Sequence, residues 1–184
     1  MIKQLFFKAI LFLFSITLLS SCGAIVKSKA QKHVTVEEGA IPPQLGSDGT
    51  TMLFITYKQS YNKYLVKNVK KRYQGRYEFV SREEFESNNK YGNADRYRYI
   101  FDYSERPAGN RIKRNTITTG DFDITTIRTR PALFKVKKFA IVDRKENKVY
   151  ACNMTSSYWS KLQKMYLNEI ELVRARNSAE KMAK

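Results

Sequence analysis

Cysteine and histidine side chains perform much of protein chemistry, and this chain of 184 residues has only three of them. Cys22 follows an apolar segment, Cys152 ends the apolar stretch 149–152, and His33 lies in a polar stretch. Catalytic triads and zinc sites bring several such groups together, so one isolated histidine is poorly placed to form either. We therefore predict no catalytic residue, no metal site and no cofactor, and a buried structural role for Cys152.

The segment before Cys22 has the features of an export leader. Residues 1–8 contain two lysines and no acidic residue, and residues 9–19 form an apolar run. That run is shorter than the roughly 20 residues that a membrane-spanning helix needs. A basic start followed by a short apolar run is typical of a leader that is removed after export.

Four residues at the end of the leader indicate how it is processed. Leu19-Ser20-Ser21-Cys22 resembles the lipobox of bacterial lipoproteins. The resemblance implies that a diacylglyceryl group is transferred to the sulfur of Cys22, that the chain is cleaved after Ser21, and that the new amine is acylated. A thiolate is nucleophilic enough to accept the glyceride, and two or three acyl chains hold a protein stably on a bilayer. The alternative is an ordinary secretory leader with an incidental cysteine.

The processed chain carries a large positive charge. The formal net charge is +17, and removing residues 1–21 takes away Lys3 and Lys8 and no acidic residue, which leaves +15. Basic surfaces bind nucleic acid readily, but export argues against that partner. The partners that remain are anionic lipid head groups, an anionic cell-wall polymer and an acidic envelope protein. The alternative is a soluble surface that is simply rich in lysine.

One predicted helix concentrates part of this charge. After Ser60, a candidate N-cap, apolar residues recur at helical spacing at Tyr61, Leu65 and Val69, and Gly75 is expected to end the helix. Four lysines share the opposite face of this helix: Lys63, Lys67, Lys70 and Lys71. They are our candidate site for an anionic surface. The alternative is a solvated helix face whose last-turn cations suit the helix dipole.

Composition divides the chain into a signal peptide over 1–21, a lipidated tether over 22–50, a folded domain over 51–174 and a polar tail over 175–184. Glycine and proline punctuate the tether, and a disordered chain of about 25 residues reaches roughly 25 to 30 Å. No acidic run follows Cys22. Such a run resembles a surface-export tag, so we predict an outer-membrane location that faces the periplasm.

Alternating strand and helix patterns predict the fold of the domain. Strands are expected over residues 51–57, 77–80, 96–103, 133–142 and 149–152. Helices are expected to start near Ser60, near Ser81, and near Ser156 or Ser157. Residues 104–130 are the least regular part and form either a long hairpin or a mobile loop. The element order predicts a single α+β domain in which helices pack on one face of a mixed β-sheet. Over residues 51–152 this order loosely resembles the small periplasmic domain of the amino-terminal region of TolB and of the LpoB and CsgG lipoproteins.

Three functions fit these features. The first is a membrane-anchored, non-catalytic lipoprotein with a binding or envelope-assembly role. The second is a carbohydrate- or cell-wall-binding module that uses exposed Tyr97, Tyr99 and Phe101, which alternate along one strand with Arg98, Ile100 and Asp102. The alternative for this aromatic stripe is a sheet face that a helix covers. The third is an envelope hydrolase, which is disfavoured because the sequence has no nucleophile elbow, metal-ligand pair or phosphate-cradling glycine loop.

Overall fold

The computed structural model describes residues 28–119, 122–131 and 134–183, with side chains for residues 28–109 and 134–183. Cys22 and the predicted leader lie outside the described residues. In chain order the elements are α1 (residues 28–33), β1 (Met52–Thr56), α2 (Gln59–Arg72), β2 (Tyr77–Ser81), α3 (Arg82–Ser87), β3 (Tyr99–Pro107), β4 (Asn110–Thr119), β5 (Phe122–Pro131), β6 (Lys135–Asp143), β7 (Lys148–Ala151) and α4 (Trp159–Met182).

Five of these strands form one mixed sheet in the order β2-β1-β3-β6-β7. Strand β1 is parallel to both of its neighbours, β2 and β3. Strand β6 pairs antiparallel with β3 on one side and with β7 on the other. The interior strand β1 is almost entirely apolar, as expected for a strand that is covered on both faces. Met52 and Phe54 point to one core cluster, and Leu53 and Ile55 point to another on the opposite face.

The two long helices, α2 and α4, cover one face of the sheet. Their apolar stripes, which include Leu65, Val69, Leu162, Tyr166 and Ile170, pack on Phe54, Phe101, Phe139 and Ile141. The short helix α3 contributes Phe85 to the smaller cluster on the other face, next to Tyr91 from the 3-10 turn Asn89–Gly92. The predicted single α+β domain with a mixed sheet is confirmed.

The segment predicted as a tether packs on the domain from residue 30 onward, which corrects the domain boundary at residue 51. Ala30, Val34, Ala40, Ile41 and Leu45 are at most 1% exposed and belong to the main core cluster. The hydroxyl of Tyr166 also donates a hydrogen bond to the Ala40 carbonyl. Apart from Ala30, which lies in α1, these residues are irregular in conformation, so they lack the period of a helix or strand that a sequence pattern reveals.

The polar tail predicted over 175–184 is also corrected, because α4 continues to Met182. Its last turns hold the docked segment in place. The amide of Asn177 donates hydrogen bonds to the carbonyls of Pro43 and Leu45 at 2.7 and 2.9 Å, and the hydroxyl of Ser178 donates to Gly46 at 3.0 Å. Polar side chains on this part of α4 therefore satisfy the backbone of an irregular segment.

The predictions for the helix starts and for residues 104–130 are confirmed in part. The predicted start of a helix near Ser81 is confirmed: Ser81 caps α3, and its Oγ accepts a hydrogen bond from the Glu84 N–H at 3.0 Å. Ser60 is not the N-cap of α2, which begins at Gln59 after Lys58. In the irregular 104–130 region the hairpin alternative is right, because β4 and β5 pair antiparallel in a separate two-stranded sheet.

The aromatic alternation predicted over 96–103 fails at its first residue. Tyr97 precedes β3 and packs in the smaller cluster with Leu53 and Ile100, whereas Tyr99 and Phe101 face the long helices. The reason is that the chain still turns at residues 94–96 and enters the extended conformation only at Tyr99. In the part of the chain described, we find no helix that is long and apolar enough to span a membrane.

Candidate anionic-surface interface

Helix α2 presents the four predicted lysines on its outer side. Tyr61, Leu65 and Val69 are buried against the sheet, and residues half a turn away from them point outward. Lys63, Lys67, Lys70 and Lys71 are all exposed. The sequence of α2 contains no acidic residue, and the ion pairs found among the described residues all involve other side chains.

Helix α4 lies beside α2 and runs in the same direction. Three contacts in ascending order along α2 and the residues after it show this: the rings of Tyr61 and Trp159 are 5.5 Å apart, the Asn68 amide donates to Gln163 at 2.8 Å, and the Gln74 N–H donates to Glu171 at 3.0 Å. The sheet-facing side of α4 is apolar, so its polar residues point to the same outer surface as those of α2.

Two lysines of α4 extend the basic surface. Lys161 and Lys164 are exposed in the first two turns, and residues 159–168 include no acidic residue. We call the six lysines of the two helices the basic helical face: Lys63, Lys67, Lys70, Lys71, Lys161 and Lys164. Sequence reasoning missed the α4 pair, although their spacing out of phase with Leu162 and Tyr166 placed them on the polar side of that helix.

Aromatic side chains lie within this surface. Tyr64 is 45% exposed and meets Trp159 edge to face, with ring centroids 5.4 Å apart, in the groove between the helices. Tyr158 is 52% exposed and lies under the ammonium group of Lys161, 5.6 Å from its ring centroid. Tyrosine and tryptophan favour the boundary between water and lipid, because they join an apolar ring to a polar group.

Lys137 differs from the six lysines because it is enclosed. Its ammonium group lies 3.8 Å from the ring centroid of Tyr103 and also approaches Tyr61 and Trp159 at 5.7 and 5.6 Å. It also pairs with the carboxylate of Glu105. The lysine is 7% exposed, so it contributes to packing between β6 and the helices and adds no charge to the outer surface.

A second polar cluster lies at the carboxyl ends of the parallel strands. The hydroxyl of Tyr57 donates to Asp102 at 2.6 Å and accepts from Arg82 at 2.7 Å, and Arg82 pairs with Asp102. Burial and the hydrogen bond to Asp102 raise the pKa of Tyr57 to about 12. The three side chains satisfy one another's polar groups, so the cluster ties the end of β1 to β3 and to α3.

One of the alternatives considered from sequence loses support. Tyr97, Tyr99 and Phe101 are at most 1% exposed, so they offer no surface on which a sugar ring could stack. Cys152 is fully buried, as predicted, and burial raises the pKa of its thiol. Within the described ranges, no three His, Cys, Asp or Glu side chains come together in a way that could hold a metal ion.

No family model matches this chain, and neither a curated protein nor a solved structure is significantly similar to it. The resemblance in element order to the TolB, LpoB and CsgG domains therefore stays a prediction, as does the lipobox. The functional argument therefore rests on the fold and on the exposed side chains described above.

Proposed function

We propose that this chain is a lipid-anchored, non-catalytic binding protein of the bacterial cell envelope. Cys22 carries the lipid, and the basic helical face rests on an anionic lipid surface, at the outer membrane on its periplasmic side. The observation that carries the proposal is the set of six exposed lysines on two adjacent helices, in a stretch of both helices that has no acidic residue.

The docked amino-terminal segment strengthens this proposal, because it shortens the link between lipid and domain. The described chain begins at residue 28, and the core begins at Ala30. Six peptide steps separate Cys22 from residue 28, and they span at most about 20 Å when fully extended. A link of this length lets the domain come within the Debye length of about 8 to 10 Å over which the surface potential of the bilayer fades.

The lipid anchor keeps the domain at the membrane, so the charge of the basic helical face acts on the orientation of the domain relative to the bilayer. A lysine close to an anionic bilayer contributes about 1 kcal/mol. Six lysines that touch the surface together would favour one orientation of the domain strongly over orientations that turn them away. Tyr64 and Tyr158, exposed beside these lysines, add aromatic contacts suited to the head-group region.

The lipid anchor is tested by replacing the acceptor. Cys22→Ser should abolish incorporation of labelled palmitate and leave an exported chain without lipid. A Cys152→Ser variant is the matched control and should incorporate label as the wild type does, because that thiol is buried. Palmitate that still enters the Cys22→Ser chain would refute the anchor.

The lipid surface is tested with a chain that lacks residues 1–22, so that the lysines act without the anchor. It should bind vesicles that contain anionic lipid at low salt, release near physiological salt, and ignore neutral vesicles. Replacing Lys161 and Lys164 by Gln removes about 2 kcal/mol, so binding should weaken by about 30-fold. Replacing Lys63, Lys67, Lys70 and Lys71 by Gln should weaken it further.

A control with the same charge change separates a defined face from net charge. Lys90 lies in the 3-10 turn that follows α3, and Lys148 begins the edge strand β7. The double replacement Lys90→Gln and Lys148→Gln should weaken vesicle binding by less than about threefold. Equal losses in the two double variants would mean that total charge, and not the basic helical face, drives the binding.

A further inference from the structure

The outer side of α4 changes in character along the helix. Its first two turns carry Lys161 and Lys164 of the basic helical face. Its last three turns carry four exposed apolar residues, which we call the apolar stripe: Leu172, Ala175, Ala179 and Met182. Spacings of three, four and three residues place the stripe on one side of the helix. Leu172 is 63% exposed and Met182 is 83% exposed, so two large apolar side chains there are in contact with water.

The apolar stripe continues the surface on which the basic helical face lies. At 3.6 residues per turn, Leu172 lies within about 20° of Lys161 around the helix axis. The acidic residues of α4 are outside the stripe, and the one that borders it most closely, Glu171, pairs with Arg174 at 2.6 Å. The outer side of α4 is therefore basic at one end and apolar at the other, over a length of about 36 Å.

The docked amino-terminal segment reaches α4 beside this stripe. Val34, Val36 and Ile41 line a surface cavity of about 270 Å³ together with Leu172 and Val173. The link from Cys22 to residue 28 spans at most about 20 Å, and the six helical residues of α1 add about 9 Å. A lipid on Cys22 therefore enters the bilayer within about 30 Å of Val34, which brings the edge of the apolar stripe within reach of the membrane.

We propose, on the basis of the proposed function, that the apolar stripe enters the lipid, so that α4 lies along the bilayer over its whole length. Anionic head groups then meet the lysines of the first turns, and Leu172 and Met182 meet the acyl chains. A helix in the plane of the bilayer buries its apolar face about 5 to 10 Å into this boundary. A second copy of the chain is a poorer partner for the stripe, because the six lysines beside it in each copy would repel those of the other.

The first test uses the full-length protein in vesicles of phosphatidylglycerol and phosphatidylcholine. Leu172→Cys and Met182→Cys each carry a nitrobenzoxadiazole fluorophore, whose emission shifts to the blue in lipid. Both should show this shift, and a lipid with a nitroxide in its upper acyl chain should quench them. The unsubstituted protein should not be labelled, because Cys152 is fully buried.

Val149→Cys is the matched control. Val149 is 60% exposed on β7, and its neighbour Tyr150 packs in the main core cluster, so Val149 lies on the sheet face that is turned away from α4. The fluorophore at this position should show neither the shift nor the quenching. Equal quenching at Val149 and at the stripe, or quenching at neither, would overturn the proposal. A blue shift at Leu172→Cys that appears without vesicles would also overturn it, because a second copy would then cover the stripe.

Tyr64→Cys, beside the basic helical face, separates this proposal from the proposed function. Quenching at Tyr64 without quenching at the stripe would overturn the insertion and leave the charged contact intact. Quenching at the stripe without quenching at Tyr64 would support the insertion and count against the charged contact.

The second test measures vesicle binding by the chain that lacks residues 1–22, which keeps every described residue. Leu172→Ala removes three carbons, each of which contributes roughly fourfold to binding when fully transferred into lipid. Because the side chain is 63% exposed before binding, the loss should be about tenfold. The lost contact has no charge, so this factor should not change with salt, whereas the loss from replacing Lys161 and Lys164 should shrink as salt rises. A loss below about twofold, or one no larger than that of Val149→Ala, would overturn the proposal.

Discussion

Replacement of Ile41 by Ala distinguishes a docked amino-terminal segment from a free tether. Ile41 is fully buried in the main core cluster, between irregular backbone and α4. The change removes three carbons, and at about 0.8 kcal/mol for each buried methylene the lost transfer free energy is about 2.4 kcal/mol. The cavity left behind adds to this, so we expect a total loss of about 3 to 4 kcal/mol in the free energy of unfolding.

The assay is urea unfolding of the chain that lacks residues 1–22, which keeps every described residue. With a slope of about 2 kcal/mol per molar urea, the midpoint should fall by about 1.5 to 2 M. Ile41→Val should cost about 1 kcal/mol. Leu172→Ala, at a side chain that is 63% exposed on α4, should change the midpoint little. A loss below about 0.5 kcal/mol for Ile41→Ala would show that the segment is not packed in solution, and the short link between lipid and domain would fail with it.

Three further predictions concern buried or paired groups. The thiol of Cys152 should react slowly with a thiol reagent in the native protein and rapidly in denaturant; equal rates would contradict its burial. Two neighbouring lysines lower the pKa of Glu105 from 4.5 to about 2, so the stability that it contributes is present above about pH 4.5 and is lost as pH falls towards 2. Glu105→Gln should flatten the unfolding free energy over that window, and an unchanged pH profile would count against the pairing. Arg98→Ala leaves Asp143, which is 1% exposed, without its partner, and urea unfolding should show a loss of about 3 to 5 kcal/mol; a loss below 1 kcal/mol would contradict it.

Local patterns in the sequence predicted most elements of the sheet and its helices. Strand β1 is recognisable because five consecutive residues are apolar or β-branched. The α3 cap is recognisable because Ser81 and Glu84 stand three residues apart. In the same way, the four lysines of α2 share a face because of the helical period alone. Each of these features depends on neighbours within a few residues, so a short window of sequence contains the information.

The positions of the irregular segments required the tertiary structure. Residues 34–45 contain buried apolar side chains but have no regular period, and glycine and proline within them also fit a flexible tether. What holds them is distant in sequence: the carbonyl of Ala40 meets Tyr166, 126 residues away, and that of Pro43 meets Asn177, 134 residues away. A docked segment differs from a free tether only in its contacts with residues that are distant in sequence.

The sequence by itself determined the export leader pattern, the excess of positive charge, the α+β class and the lysines of α2, since these follow from composition and from periods of two or 3.6 residues. The tertiary structure decided which lysines belong to one surface, because Lys161 and Lys164 join those of α2 only where two helices pack side by side. It also buried Tyr97, Tyr99 and Phe101, and it brought the docked segment beside Leu172 on α4. Alternation along a strand assigns side chains to two faces, but whether a face is covered depends on which distant elements fold back onto it.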